Sequence, residues 1–170
     1  MKHLIMFLLL GAASPSFAID YSFQQAPFTI TAVLKTGATK VQVFQFNGSA
    51  LFTDSSENYY STTGQITLRR NTFACDDVSY SYSDDYYCSF YSAKFLTILD
   101  AISNHDDNFN AVRDIVSRYY NNSYSYDSFK ISLGRKGQTS ETQSTKSIMD
   151  PSNSNNRVDF TISTTGMRPL

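Results

Sequence analysis

The sequence predicts an α+β fold: an antiparallel β-sheet formed from both ends of the chain, with a central two-helix hairpin packed on one face and one disulfide. Three observations lead there. Apolar and polar residues alternate at residues 28–35, 41–46, 129–133 and 158–163, the signature of half-buried strands. Between residues 90 and 120 the apolar period lengthens to between three and four, which is helical. Cys75 and Cys88 are the only cysteines.

A chain of 170 residues is the size of one domain. Its 14 basic and 15 acidic side chains give a formal net charge of -1, which supplies no basic surface, so nucleic acid is not an expected partner. Only 17% of residues are charged, whereas 12 Tyr and 13 Phe provide the apolar mass for a packed core.

The chain opens with Lys2 and His3, an apolar run from Leu4 to Leu10, and small residues ending at Phe17-Ala18. That order predicts a signal peptide at residues 1–18, cut after Ala18, and a single mature domain at 19–170 that is secreted or periplasmic. No later apolar run approaches the roughly 20 residues of a spanning helix, so no transmembrane segment is expected after cleavage. Losing Lys2 from the 14 basic residues leaves 13 against 15 acidic ones, and losing His3 leaves His105 as the only histidine.

In chain order, Phe28–Lys35 and Val41–Phe46 read as strands joined across Thr36-Gly37-Ala38-Thr39. Asn47-Gly48 is the strongest short turn signal and predicts that Ala50-Leu51-Phe52 folds back as a third strand. Asp54–Gly64 is polar and loop-like, and Gln65–Arg69 is a further short strand. An exported chain with an even cysteine count forms disulfides, so Cys75 and Cys88 are expected to pair, closing a loop whose chain entropy is worth about 3 kcal/mol. Phe95, Leu96, Leu99 and Ile102 make one helical face, and Phe109, Val112, Ile115, Val116 and Tyr119 a second. The break at Asn104-His105-Asp106 separates them, with Asp106 or Asp107 capping the second helix. Phe129–Leu133 and Val158–Ser163 are strands. They flank a polar segment at about 134–157, with almost no apolar residues, which reads as a mobile or functional loop.

Chemistry is sparse. No phosphate-binding glycine loop and no Gly-x-Ser-x-Gly elbow occurs. A hydrolase would have to use His105 or a carboxylate pair drawn from Asp76, Asp77, Asp84, Asp85, Asp106 and Asp107, with Glu57 and Glu141 in polar loops. The Asp pairs inside the cysteine loop could gather oxygens around Ca²⁺, a third reading in which the ion stabilises the domain, but they lack calcium-loop spacing, so no metal and no cofactor is expected. The informative feature is a pair of tyrosine and serine tracts, Ser79–Tyr87 and Tyr119–Ser128. Tyrosine gives a large rigid contact surface at low entropic cost, and Ser, Asn and Asp add adaptable hydrogen bonds, the composition of recognition surfaces. The sequence therefore predicts an exported, non-enzymatic binding module for a protein or glycan partner, contacting it through Tyr80, Tyr82, Tyr86, Tyr87, Tyr124 and Tyr126. The alternative is a small secreted hydrolase, or a host-directed secreted factor, with a carboxylate- or His105-based site.

Overall fold

A computed structural model describes residues 21–55, 62–80, 85–122 and 127–170. The expected signal peptide lies outside the described residues. Strands β1 (Tyr21–Thr36) and β2 (Thr39–Ser55) form one long hairpin, paired from Tyr21 opposite Ser55 to Thr36 opposite Thr39 with one register shift between Ala32 and Val33. The turn expected at Asn47-Gly48 is absent, because both residues lie inside β2. A Cβ at Gly48 would come within 2.6 Å of the Phe28 ring and 2.8 Å of Leu68. Glycine is needed there for close approach of side chains from β1 and β3, and pairing along the whole of β1 overrides the local turn preference.

Strands β3 (Thr63–Leu68) and β4 (Asn71–Ala74) extend the sheet on one side of the hairpin. On the other side β1 pairs with β9 (Asn156–Thr164), and β9 with β8 (Thr142–Met149). The short β10 (Arg168–Pro169) pairs with β1 at Gln24 and Gln25. Both ends of the chain thus meet in one antiparallel sheet of order β4-β3-β2-β1-β9-β8.

The strands do not all join that sheet. A second, three-stranded sheet has the order β5-β6-β7, from Asp77–Tyr80, Asp85–Tyr91 and Ser128–Arg135. Alternation marks a strand as half buried without naming its partner, so the separation of Phe129–Leu133 from Val158–Ser163 into different sheets leaves no local trace. The polar segment at 134–157 also departs from expectation, since it contains the strand β8.

Helices α1 (Ser92–Ile102) and α2 (Asp107–Asn122) are the expected pair. The first buries Phe95, Ile98, Leu99 and Ile102; the second buries Phe109, Val112, Ile115, Val116 and Tyr120. Asp106 is the cap of α2, its carboxylate accepting the Phe109 N–H at 2.7 Å. The end of α1 is capped from the β3–β4 turn: Arg69 donates to the Ile102 carbonyl at 2.8 Å and Asn71 to that of Ala101 at 3.3 Å. Helix α1 contacts β4, β6 and β7, while α2 contacts β2, β8 and β9.

Phenylalanines join all four units at the centre. Phe95 of α1 stacks on Phe129 of β7 at 3.8 Å, and Phe129 meets the edge of Phe160 of β9 at 5.1 Å. Phe44 of β2 stacks on Phe109 of α2 at 5.4 Å. Such pairs add about 0.5–1.5 kcal/mol each beyond the area they bury. At the rim, the disulfide Cys75–Cys88, with Cα atoms 5.4 Å apart, links the end of β4 to β6. Because the Cys75 N–H also donates to the Gly64 carbonyl of β3 at 2.8 Å, the bond staples the small sheet to the large one.

Candidate functional site

The two sheets leave a groove, with β6 and β7 on one side and β8 and β9 on the other. It has two lobes. The larger, of about 380 Å³, is lined by Asp85, Ser132, Arg135, Gln138, Thr142 and Ser144, with Ile162 and Thr164 from β9. The smaller, of about 220 Å³, is lined by Tyr87, Asp127, Ser128, Lys130, Ser132, Ser144, Thr145, Lys146 and Ile162. Ser132, Ser144 and Ile162 belong to both, so the lobes form one continuous groove.

Strand periodicity builds each wall. In β7, Phe129, Ile131 and Leu133 are buried, which turns Ser128, Lys130 and Ser132 to the opposite face. In β8, the residues opposite Val158, Phe160, Ile162 and Thr164 of β9 are Ile148, Lys146, Ser144 and Thr142. Ile148 is fully buried, whereas Lys146 and Ser144 are half exposed. That face of β8 runs from apolar to polar as it leaves the core.

Gln138 closes the end of the larger lobe. Its side-chain oxygen accepts the Arg135 N–H at 3.2 Å, and its amide nitrogen donates to the Ser140 carbonyl at 2.6 Å and to the Thr142 hydroxyl at 3.1 Å. Gly134 and Gly166, at φ 73° and 85°, leave room for it, since a Cβ on either would come within 2.6 Å of the Gln138 side chain. Beside it Arg135 pairs with Asp85 at 3.1 Å.

At the other end Asp127 is the hub. Lys146 Nζ lies 3.0 Å from both carboxylate oxygens and 3.3 Å from the Ser128 carbonyl, and the Tyr119 hydroxyl donates to Asp127 at 2.9 Å. Burial alone would raise the Asp127 pKa, but the hydrogen bonds from Lys146 and Tyr119 outweigh it and hold the carboxyl below its ordinary range. Burial, reinforced by Asp127 and Tyr119, raises the pKa of the neighbouring Tyr120 phenol, whose hydroxyl is enclosed without a hydrogen-bond partner among the described residues.

Of the tyrosines singled out in the sequence, Tyr87 lines the groove. Tyr86 does not belong to a contact surface: it is 6% exposed, its ring edge-on to Phe52 at 5.6 Å, because alternation along β6 turns it inward when Tyr87 turns outward. Tyr80 closes β5 opposite Tyr86, and Tyr82, Tyr124 and Tyr126 lie outside the described residues. The groove adds Lys130, Ser132 and Ser144, which only their position on the solvent face of a strand could have marked, and Gln138, which lies in the connection between β7 and β8; none of the four carries a motif.

Of the hydrolase candidates, Asp85 lines the larger lobe, paired with Arg135, and the others among the described residues line neither lobe. His105, at φ 60°, is exposed in the bend between the helices; its N–H donates to the Ser103 hydroxyl at 2.9 Å, and it lines neither lobe. Asp76 is committed to Lys94 at 2.7 Å and to the Tyr91 N–H at 2.8 Å. Among the described residues no group of three or more His, Cys, Asp or Glu is placed to hold a metal ion, and no helix is long and apolar enough to cross a membrane.

Among the described residues the groove offers hydroxyl and amide hydrogen bonds, one aromatic ring and two internal ion pairs, and none of those lining either lobe is a histidine or a cysteine. Compared with known proteins, the chain matches no family model, no curated protein and no solved structure.

Proposed function

We propose that this protein is an exported, non-enzymatic binding module whose contact surface is the groove between the sheets together with the tyrosine tracts that enter it. One observation carries the reading. Two tracts of the same composition, separated by α1 and most of α2, run into the same groove: Asp85 and Tyr87 end the first, and Asp127 and Ser128 end the second. Compositional bias at two distant places in the chain, brought to one concave surface rich in hydroxyls, favours recognition of a partner. Export accords with the amino-terminal pattern and with the disulfide, which persists in oxidising compartments.

The test uses the mature protein and a variant carrying Tyr80→Ser, Tyr82→Ser, Tyr87→Ser, Tyr124→Ser and Tyr126→Ser. Both are applied to a glycan array and to affinity capture from the envelope and medium of the producing cell. With circular dichroism unchanged, loss of the retained component in the variant supports the reading. Equal retention by both proteins defeats it.

A further inference from the structure

Building on the binding reading above, we propose that the groove takes a carboxylate-bearing oligosaccharide, with a sugar ring against Tyr87 and its carboxylate on Lys130.

The charges in the groove are not evenly used. Asp85 is matched by Arg135 at 3.1 Å and Asp127 by Lys146 at 3.0 Å. Lys130 makes no ion pair among the described residues, although it lines the smaller lobe and is exposed. Each carboxylate of the groove thus has another cation in direct contact, and the Lys130 ammonium, although it also acts on Asp127 through space, makes no contact ion pair among the described residues and is open to an incoming anion. A single ammonium balances the one charge of a carboxylate, whereas a phosphate carries more charge and is commonly met by several donors together, a guanidinium fork or clustered backbone N–H groups beside any lysine. The guanidinium in this groove, Arg135, is held by Asp85.

Tyr87 and Lys130 are also correctly spaced. Tyr87 faces Ser132 across the β6–β7 ladder and Ser89 faces Lys130, which makes Tyr87 and Lys130 diagonal neighbours. Diagonal positions lie about 7–8 Å apart, a span that a long side chain bridges. A pyranose ring resting on the half-exposed Tyr87 would direct a ring carboxylate toward Lys130, while Ser128, Ser132, Ser144 and Thr145 meet its hydroxyls. The second lobe continues past Ser132 to Thr142 and Gln143, which leaves room for a further sugar. An extended peptide would instead be expected to meet apolar side-chain pockets, and the apolar lining common to both lobes is Ile162.

Isothermal titration of the mature protein with oligogalacturonate, an oligoalginate and sialyllactose, each beside its carboxyl-reduced counterpart, tests the proposal. The expected result is binding of at least one acidic sugar, about tenfold weaker or more after carboxyl reduction and in Lys130→Gln, kept in Lys130→Arg, and weakened by salt. Tyr87→Ala should also lose it. Equal binding of the acidic and reduced forms would overturn the role of Lys130 while leaving a glycan-binding groove. If no sugar binds but the tyrosine-to-serine variant still loses its captured partner, the glycan inference falls and the binding module stands. If no sugar binds and capture is unchanged in that variant, both fall.

Discussion

The two ends of β8 meet different environments. Ile148 is fully buried, and the turn beyond it is gripped by Asp150, whose carboxylate accepts two hydrogen bonds from Arg118 of α2, at 3.0 and 2.9 Å, and two from Ser152, at 3.0 and 2.7 Å. Four residues earlier on the same face, Ser144 opens onto the groove beside Lys146. The register with β9 is regular throughout, so the backbone is not what differs. What differs is the cover: α2 reaches one end of the strand and leaves the other exposed. The groove is thus the uncovered remainder of a sheet face, and the change from Ile to Ser along β8 follows that boundary.

Breaking the covered region should have the largest effect. Phe129→Ala removes a ring packed against Phe95 and Phe160 and is expected to cost about 3–5 kcal/mol in urea denaturation, with the groove lost as the sheets separate. Next comes the staple: Cys75→Ser with Cys88→Ser should lower stability by about 3 kcal/mol, read as a lower melting temperature equal to that of the reduced native protein.

The Asp150 clamp makes the covered end of β8 sensitive to pH. Hydrogen bonding to Arg118, opposed by burial and aided by Ser152, holds its pKa at about 2. A carboxyl whose folded-state pKa is depressed stabilises the fold above its unfolded value, about 3.9, and that contribution disappears as pH falls toward about 2. Asp150→Asn should cost about 1–3 kcal/mol at neutral pH and should flatten the stability profile between about pH 4 and pH 2. Denaturation series across that range would show whether the slope belongs to this residue. At the open end the expectation reverses. Ser144→Ala should change stability by less than about 0.5 kcal/mol, since its side chain is half exposed, yet it should weaken binding in the titrations.

The helices were legible because each buries a stripe of its own at helical spacing, as Phe109, Val112, Ile115 and Val116 do. Strands β1, β7 and β9 were legible because one face of each is fully covered. Strand β8 was hidden for the opposite reason: it is an edge strand with one polar face and another covered at one end only, so Ile148 is its single buried residue. Gly48 misled because a glycine required by close packing and one required by a turn look alike in sequence. Among the site residues, Tyr87 could be found from composition, but its separation from Tyr86 needed the strand phase. Lys130, Ser132 and Ser144 carry no signal beyond lying between buried neighbours.

Legible from the chain alone were the α+β class, the two helices with a cap at Asp106 or Asp107, the pairing of Cys75 with Cys88, and the clustering of Tyr with Ser in two tracts. These follow from periodicity, capping chemistry and cysteine parity, which act over a few residues or require no knowledge of distance. Tertiary structure alone decided that the strands divide into two sheets, that α2 covers one end of β8 and not the other, and that Tyr87 and Lys130 share a groove with Ser144. Those outcomes depend on which half-buried faces meet, and a face specifies that it must be covered without specifying by what.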